Sequence, residues 1–139
     1  MEEAARNLVF HGVIVLIIGL MCGMPYGKAI NRKAPEHTVQ AWRIAHLALP
    51  IGAILMFAVA AVLTPFMVTA TLKWVIAVSL IASSYAFCFS LLLAPVVGHR
   101  GLSSKGPFAA KLVYLGNSTG AFFSMLAALV LLYAGFVSL

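Results

Sequence analysis

The sequence predicts an all-α integral membrane protein built from four transmembrane helices, and three observations lead to this fold class. Hydrophobic residues make up 63% of the 139 residues and charged residues only 9%, whereas about a quarter of a typical soluble domain is charged. Four apolar segments are each long enough to span a membrane, which takes about 20 residues. These segments occupy nearly the whole chain, so we expect residues 1–139 to form a single transmembrane domain.

The four predicted spans are separated by short polar segments. The first span is expected to be a retained helix and not a secretory signal, because its leader is acidic and its apolar run is too long. The segment "NRKAPEH" at 31–37 ends this span, Pro65 closes the second span, and "GHRGLSSKGP" at 98–107 precedes the fourth. The predicted spans are 8–30, 41–64, 72–97 and 108–138.

The basic residues predict the orientation of the chain. Four of the nine flank the first loop and three flank the third loop, while only Arg6 and Lys73 lie on the opposite side. The positive-inside rule therefore places loops 31–40 and 98–107 in the cytoplasm and both termini outside. Because the basic residues lie at span ends, the net charge of +6 is an orientation signal, and we expect no nucleic-acid partner. The seven loop residues are Lys28, Arg32, Lys33, Arg43, Arg100, Lys105 and Lys111.

The scarcity of acidic residues excludes several kinds of site. Only Glu2, Glu3 and Glu36 are acidic, and none lies in a predicted span. This excludes a carboxylate-bridged di-iron bundle, a carrier built on a buried carboxylate, and paired-carboxylate catalysis. Cys22 and Cys88 lie inside spans without a CxxC spacing, and we interpret them as packing residues.

His46 is the main candidate for a functional residue, because an ionisable group inside a span marks a functional site by default. His11 enters the membrane from the other side, on the order of 20 Å away in depth, so one metal cannot take both histidines. Unless His37 or His99 folds back, His46 is either a single axial haem ligand with an open position opposite, or a histidine hydrogen-bonded to a neighbouring helix. In the first interpretation, Arg43 on the same helical face is placed to pair with a haem propionate.

Two stripes of small residues predict close helix packing. Gly19, Gly23 and Gly27 repeat at four-residue intervals in the first span, and Gly116 and Gly120 do so in the fourth. Such stripes let helix backbones approach closely. The sequence leaves open whether they are used inside one chain or between protomers.

Several short motifs resemble those of the membrane-bound styrene oxide isomerases. They are "HG" at 11–12, "WRIAH" at 42–46, and "HRGL" at 99–102 followed by "GP" at 106–107. The resemblance covers most of the chain and implies a homotrimer in a bacterial plasma membrane, with haem b between protomers held by His46. The other residues expected around the cofactor are Gly19, Gly23, Trp42, Arg43 and Arg100.

The resemblance also implies a reaction, the redox-neutral conversion of a lipophilic epoxide into a carbonyl compound. Ferric haem with one histidine ligand would act as a Lewis acid in a dry, apolar pocket. This chain departs from the family at the three positions where the isomerases place two asparagines and a tyrosine to orient the substrate. These positions carry Gly52, Phe87 and Leu91. The remaining polar residues are Ser83, Ser84, Tyr85 and Ser90 in the third span and Tyr114 and Asn117 in the fourth, of which Tyr85, Tyr114 and Asn117 are the catalytic candidates.

Three hypotheses remain open from the sequence. The first is an isomerase-like haem enzyme that acts on a small lipophilic epoxide. The second is a non-enzymatic haem membrane protein, such as an electron-transfer or gas-sensing subunit. The third is a haem-free membrane subunit in which His46 is structural.

Overall fold

The computed structural model describes all 139 residues and contains five helices. Four stretches are long and apolar enough to span a membrane, with lengths of 29, 28, 28 and 30 residues. The first of them, Glu3–Asn31, comprises two consecutive helices. The predicted all-α fold with four spans is therefore confirmed. The helices are α1 (Glu3–Met21), α2 (Gly23–Asn31), α3 (Glu36–Leu63), α4 (Ala70–Val97) and α5 (Phe108–Val137).

The first span differs from the single helix that the sequence predicts, because it breaks at Cys22 between α1 and α2. Pro25 has no N–H to donate to the carbonyl of Met21, four residues earlier, and Gly23 is a weak helix former. Pro50 and Pro95 lie inside α3 and α4 without ending them. Pro25 has Gly23 two residues before it and the helix breaks there, whereas Pro50, with Gly52 two residues after it, and Pro95 lie in continuous helices.

The helices pack in two tight pairs, α1 with α3 and α4 with α5, and α3 and α4 join the pairs. Glycines let the two helices of each pair approach closely. A Cβ at Gly19 would lie 2.9 Å from the Cβ of Leu49 on α3, and one at Gly116 would lie 2.8 Å from the Cβ of Ser90 on α4. Both predicted stripes are therefore used inside the chain, except at Gly27, where nothing lies within 4 Å of an added Cβ.

Contacts at the two ends of the bundle show how the chain is arranged. At one end, Lys73 is buried and its Nζ donates to the Oε1 of Glu2 at 2.7 Å and to the carbonyl of Thr64 at 3.2 Å. At the other end, His37 lies beside Gly98, with its Nε2 3.9 Å from an added Cβ. The two basic loops thus share one end of the bundle, and the side of the membrane that they face stays a prediction.

Candidate functional site

His46 lies on α3 and is held by the backbone of α1. Its Nδ1 is 3.0 Å from the carbonyl oxygen of Gly19. A carbonyl only accepts, so Nδ1 carries the proton and donates it, which leaves Nε2 with a free lone pair. Every fully buried side-chain nitrogen or oxygen has a hydrogen-bond partner. The Nε2 of the half-buried His46 ring has none, and it is therefore at least partly accessible.

Two glycines shape the surroundings of this imidazole. Gly19 brings α1 close enough to α3 for its carbonyl to reach His46. A Cβ at Gly23 would lie 3.1 Å from Cε1 and 3.3 Å from Nδ1 of His46, closer than an ordinary contact. The Tyr26 ring lies beyond Gly23, with its centroid 6.2 Å from that of the imidazole.

This donor arrangement fits a haem iron. Metal-ligating histidines commonly donate one ring N–H to a backbone carbonyl and bind the metal through the other nitrogen. His46 has this arrangement, with an accessible Nε2. The residues present at His46 therefore suit a group that needs one protein ligand.

The other residues predicted around the cofactor lie at varying positions relative to His46. Arg43 is exposed one turn before His46 on the same side of α3. Trp42 is half-buried and faces a groove of about 260 Å³ between α1 and α4. Arg100 lies in the loop before α5, beside a pocket lined by Ile44, and so borders a different face of α3 from His46. Trp42 and Arg43, four and three residues before His46 on α3, share its face, whereas Arg100 does not.

An apolar cavity of about 330 Å³ lies among α1, α3, α4 and α5. It falls within the usual range for small-molecule sites, roughly 300–1,000 Å³. Nothing lies within 4 Å of a Cβ added at Gly52, so the missing side chain leaves part of the cavity open. Its lining includes Val15, Gly52, Ser84, Phe87, Leu91 and Asn117.

Asn117 forms part of the cavity wall and also holds the loop that precedes α5. Its Nδ2 donates to the carbonyls of Arg100 at 3.2 Å and Gly101 at 3.5 Å, while its Oδ1 accepts from the Ser90 hydroxyl at 2.7 Å. Gly101 has a φ of 64°, and a Cβ there would lie 2.6 Å from the backbone nitrogen of Tyr114. Asn117 and Leu91 also line a smaller pocket of about 130 Å³ beside Arg100, so they separate the two spaces.

A comparison with known protein families matches residues 4–136 to the family described as styrene oxide isomerase. The chain belongs to the styrene oxide isomerase family. The match covers nearly the whole chain and includes His46 and every residue of the cavity. It confirms the resemblance drawn from the short motifs. A comparison with curated proteins finds no match.

The positions at which this chain departs from the styrene oxide isomerases come together in the structure. Gly52, Phe87 and Leu91 all line the apolar cavity, although they lie on two helices and far apart in sequence. None of these three side chains can form a hydrogen bond, and Gly52 leaves part of the cavity open. Hydrogen-bonding side chains at this cavity therefore come from other positions.

Of the three catalytic candidates from the sequence, the structure brings only Asn117 to the cavity. Tyr85 points elsewhere, and its hydroxyl lies 2.8 Å from Nδ1 of His11. Tyr114 is 37% exposed on α5 and lines neither the cavity nor the smaller pocket. The sequence does not predict the His11–Tyr85 hydrogen bond, because a contact between residues 74 positions apart leaves no local pattern.

Proposed function

We propose that this protein is a haem-dependent membrane isomerase that converts a small lipophilic epoxide into a carbonyl compound. Family membership supports an isomerase. The observation that carries the haem assignment is the hydrogen bond from His46 Nδ1 to the Gly19 carbonyl, which leaves an accessible Nε2. A ferric haem with a single histidine ligand would supply a Lewis-acidic iron.

The chain's own residues have separate tasks in this proposal. His46 holds the iron, and the Gly19 carbonyl fixes the orientation and tautomer of its ring. Arg43 is placed to pair with a propionate from the same face of α3. The apolar cavity takes the substrate and excludes water, which would otherwise trap a cationic intermediate as a diol.

The positions of His46 and the cavity support a haem shared between protomers. Gly52 follows His46 by six residues, which places it about 120° away around α3. Leu49 lies between them and packs against α1 at Gly19. His46 therefore faces α1 and does not line the cavity of its own chain, which opens farther around α3 on the side of Gly52. We infer that His46 of one protomer serves the cavity of its neighbour, as in the homotrimer that the family resemblance implies.

The exposed side of α3 supports the same assembly. On its side away from α1, α3 presents large apolar residues, of which Ile51 also lines the cavity. Leu47, Ile51 and Ile54 are 51%, 66% and 60% exposed. In a membrane this surface contacts either lipid or another protomer, and we infer that it contacts another protomer.

An absorption spectrum of the purified protein tests the haem assignment. We expect a Soret band after expression with sufficient haem, and loss of bound haem in His46→Ala. His37→Ala is the matched control, because His37 is exposed at the start of α3, and it should retain haem. Full haem occupancy in His46→Ala would refute the ligand assignment.

Product analysis tests the reaction. Haem-loaded protein incubated with styrene oxide should yield phenylacetaldehyde without added oxidant or reductant, and His46→Ala should not. A panel of more apolar epoxides extends the test, because the cavity lacks polar groups at Gly52, Phe87 and Leu91. Diol as the sole product, or no turnover of any epoxide by fully loaded protein, would refute the proposed activity.

The apolar character of the cavity also favours a second candidate, a haem membrane protein without isomerase activity. Such a protein would serve electron transfer or gas sensing and would not need to orient an epoxide. A five-coordinate ferric spectrum that changes on addition of an epoxide analogue supports the isomerase. A six-coordinate spectrum that no epoxide analogue alters supports the second candidate.

A further inference from the structure

The cavity offers a polar ligand very few partners. Ser84 and Asn117 are its only polar side chains, and its other lining residues are apolar side chains and Gly52. Burying a polar atom without a partner is costly. A bound molecule with an oxygen atom must therefore place that oxygen near one of these two residues.

Both N–H groups of the Asn117 amide are already engaged. Its Nδ2 donates to the carbonyls of Arg100 and Gly101, and its Oδ1 accepts from Ser90. Turning the amide towards a ligand would break the contacts that hold the loop before α5. Asn117 therefore supports the wall of the cavity and has no free N–H to donate to a ligand oxygen.

Ser84 is engaged only weakly. Its hydroxyl donates to the Sδ of Met56 at 3.2 Å, and a thioether is a poor acceptor. The neighbouring Ser83 instead donates to the carbonyl of Gly120 at 2.7 Å, a strong and buried hydrogen bond. The Ser84 hydroxyl can thus turn from sulfur to a ligand oxygen and exchange a weak acceptor for a better one.

We propose that Ser84 donates a hydrogen bond to the oxygen of the substrate and thereby orients it in the cavity. The ligand class that fits is an apolar molecule with an acceptor oxygen, such as an epoxide, ether or ketone. Identifying the ligand as an epoxide rests on the proposed function, whereas the hydrogen bond to an acceptor oxygen does not require haem.

A pair of matched ligands tests the hydrogen bond directly. Acetophenone and α-methylstyrene have nearly the same shape, but one has a carbonyl oxygen where the other has a methylene group. Equilibrium binding is measured in lipid nanodiscs, with empty nanodiscs to subtract partitioning into lipid. Ser84→Ala should weaken acetophenone binding roughly 2- to 12-fold, the worth of one hydrogen bond, and leave α-methylstyrene binding unchanged.

Two further variants and one spectroscopic signal control the experiment. Ser84→Thr retains the hydroxyl and should restore acetophenone binding. Ser124→Ala should bind both ligands as the wild type does, because Ser124 donates to the carbonyl of Ala121 on α5, outside the cavity. The infrared carbonyl stretch of bound ¹³C-labelled acetophenone should move to higher frequency in Ser84→Ala, because a hydrogen bond to the carbonyl is lost.

The outcomes separate this inference from the proposed function. Equal weakening of both ligands, no weakening of either, or no binding by the wild type beyond empty nanodiscs would overturn the role of Ser84. The Soret band is recorded on the same samples. Ser84-dependent ketone binding by protein that takes up no haem would support Ser84 and refute the haem enzyme. Full haem loading with Ser84-independent ketone binding would refute Ser84 alone.

Discussion

Replacing Gly23 with alanine should weaken haem binding through His46. The added Cβ would lie 3.1 Å from Cε1 of the imidazole, whereas non-bonded carbons prefer about 3.5–4.0 Å. Relieving this contact requires the ring to move by roughly 0.5 Å. The bond from Nδ1 to the Gly19 carbonyl measures 3.0 Å, so the same movement stretches it beyond the usual limit of about 3.2 Å.

The size of the effect follows from the role of that bond. Losing the partner that orients a metal-ligating histidine typically costs about 10- to 100-fold in affinity, or about 1.4–2.8 kcal/mol. Haem titration of the apoprotein in detergent, followed by the Soret band, measures the dissociation constant. We expect Gly23→Ala to raise it by that factor.

Gly27→Ala is the matched control for this prediction. It makes the same substitution in the same helix, but nothing lies within 4 Å of the new Cβ. Both variants gain the helix propensity of alanine, so this contribution cancels in the comparison. Equal haem affinity in Gly23→Ala and Gly27→Ala would refute the reasoning about the Gly19–His46 contact.

Three further perturbations have expected outcomes. Gly52→Leu should abolish epoxide turnover by filling the cavity but should keep haem, since the cavity does not include His46, whereas Gly52→Ala should keep both. Haem content and product yield measure this, and turnover by Gly52→Leu would contradict it. Tyr85→Phe should lower the free energy of unfolding by about 1 kcal/mol through loss of the hydrogen bond to His11, and should leave turnover intact. Thermal unfolding and product yield measure this, and lost turnover in a stable variant would count against it. Glu2→Gln should lower the unfolding temperature more than Lys73→Met, because it removes the negative charge that pairs with a buried ammonium; a smaller effect than that of Lys73→Met would contradict this expectation.

The transmembrane fold was predictable because a lipid environment restricts the chain. A segment that crosses a bilayer must satisfy its backbone hydrogen bonds internally, so long apolar runs become helices. The break at Cys22 was not predictable with the same certainty. Pro25 and Pro50 each lie two residues from a glycine, yet only the span that contains Pro25 is interrupted, so the local sequence does not distinguish them.

The candidate site was predictable only as far as single residues reveal it. His46 stands out because an imidazole is unusual in an apolar span, but its partner, the Gly19 carbonyl, is a backbone atom with no sequence signal. Tyr85 seemed a better catalytic candidate than Ser84 by side-chain chemistry. One residue turns a helix by about 100°, and that rotation directs Ser84 to the cavity and Tyr85 to His11.

The separation of His46 and the cavity around α3 has a genetic consequence. If each centre combines His46 from one copy with the cavity of the next, His46→Ala and Gly52→Leu damage different halves of it. Neither variant alone has an intact centre. Cells that express both would assemble mixed rings in which an intact histidine meets an intact cavity, and activity would return. Two inactive alleles would thus complement each other, which two defects within a single self-contained chain cannot do.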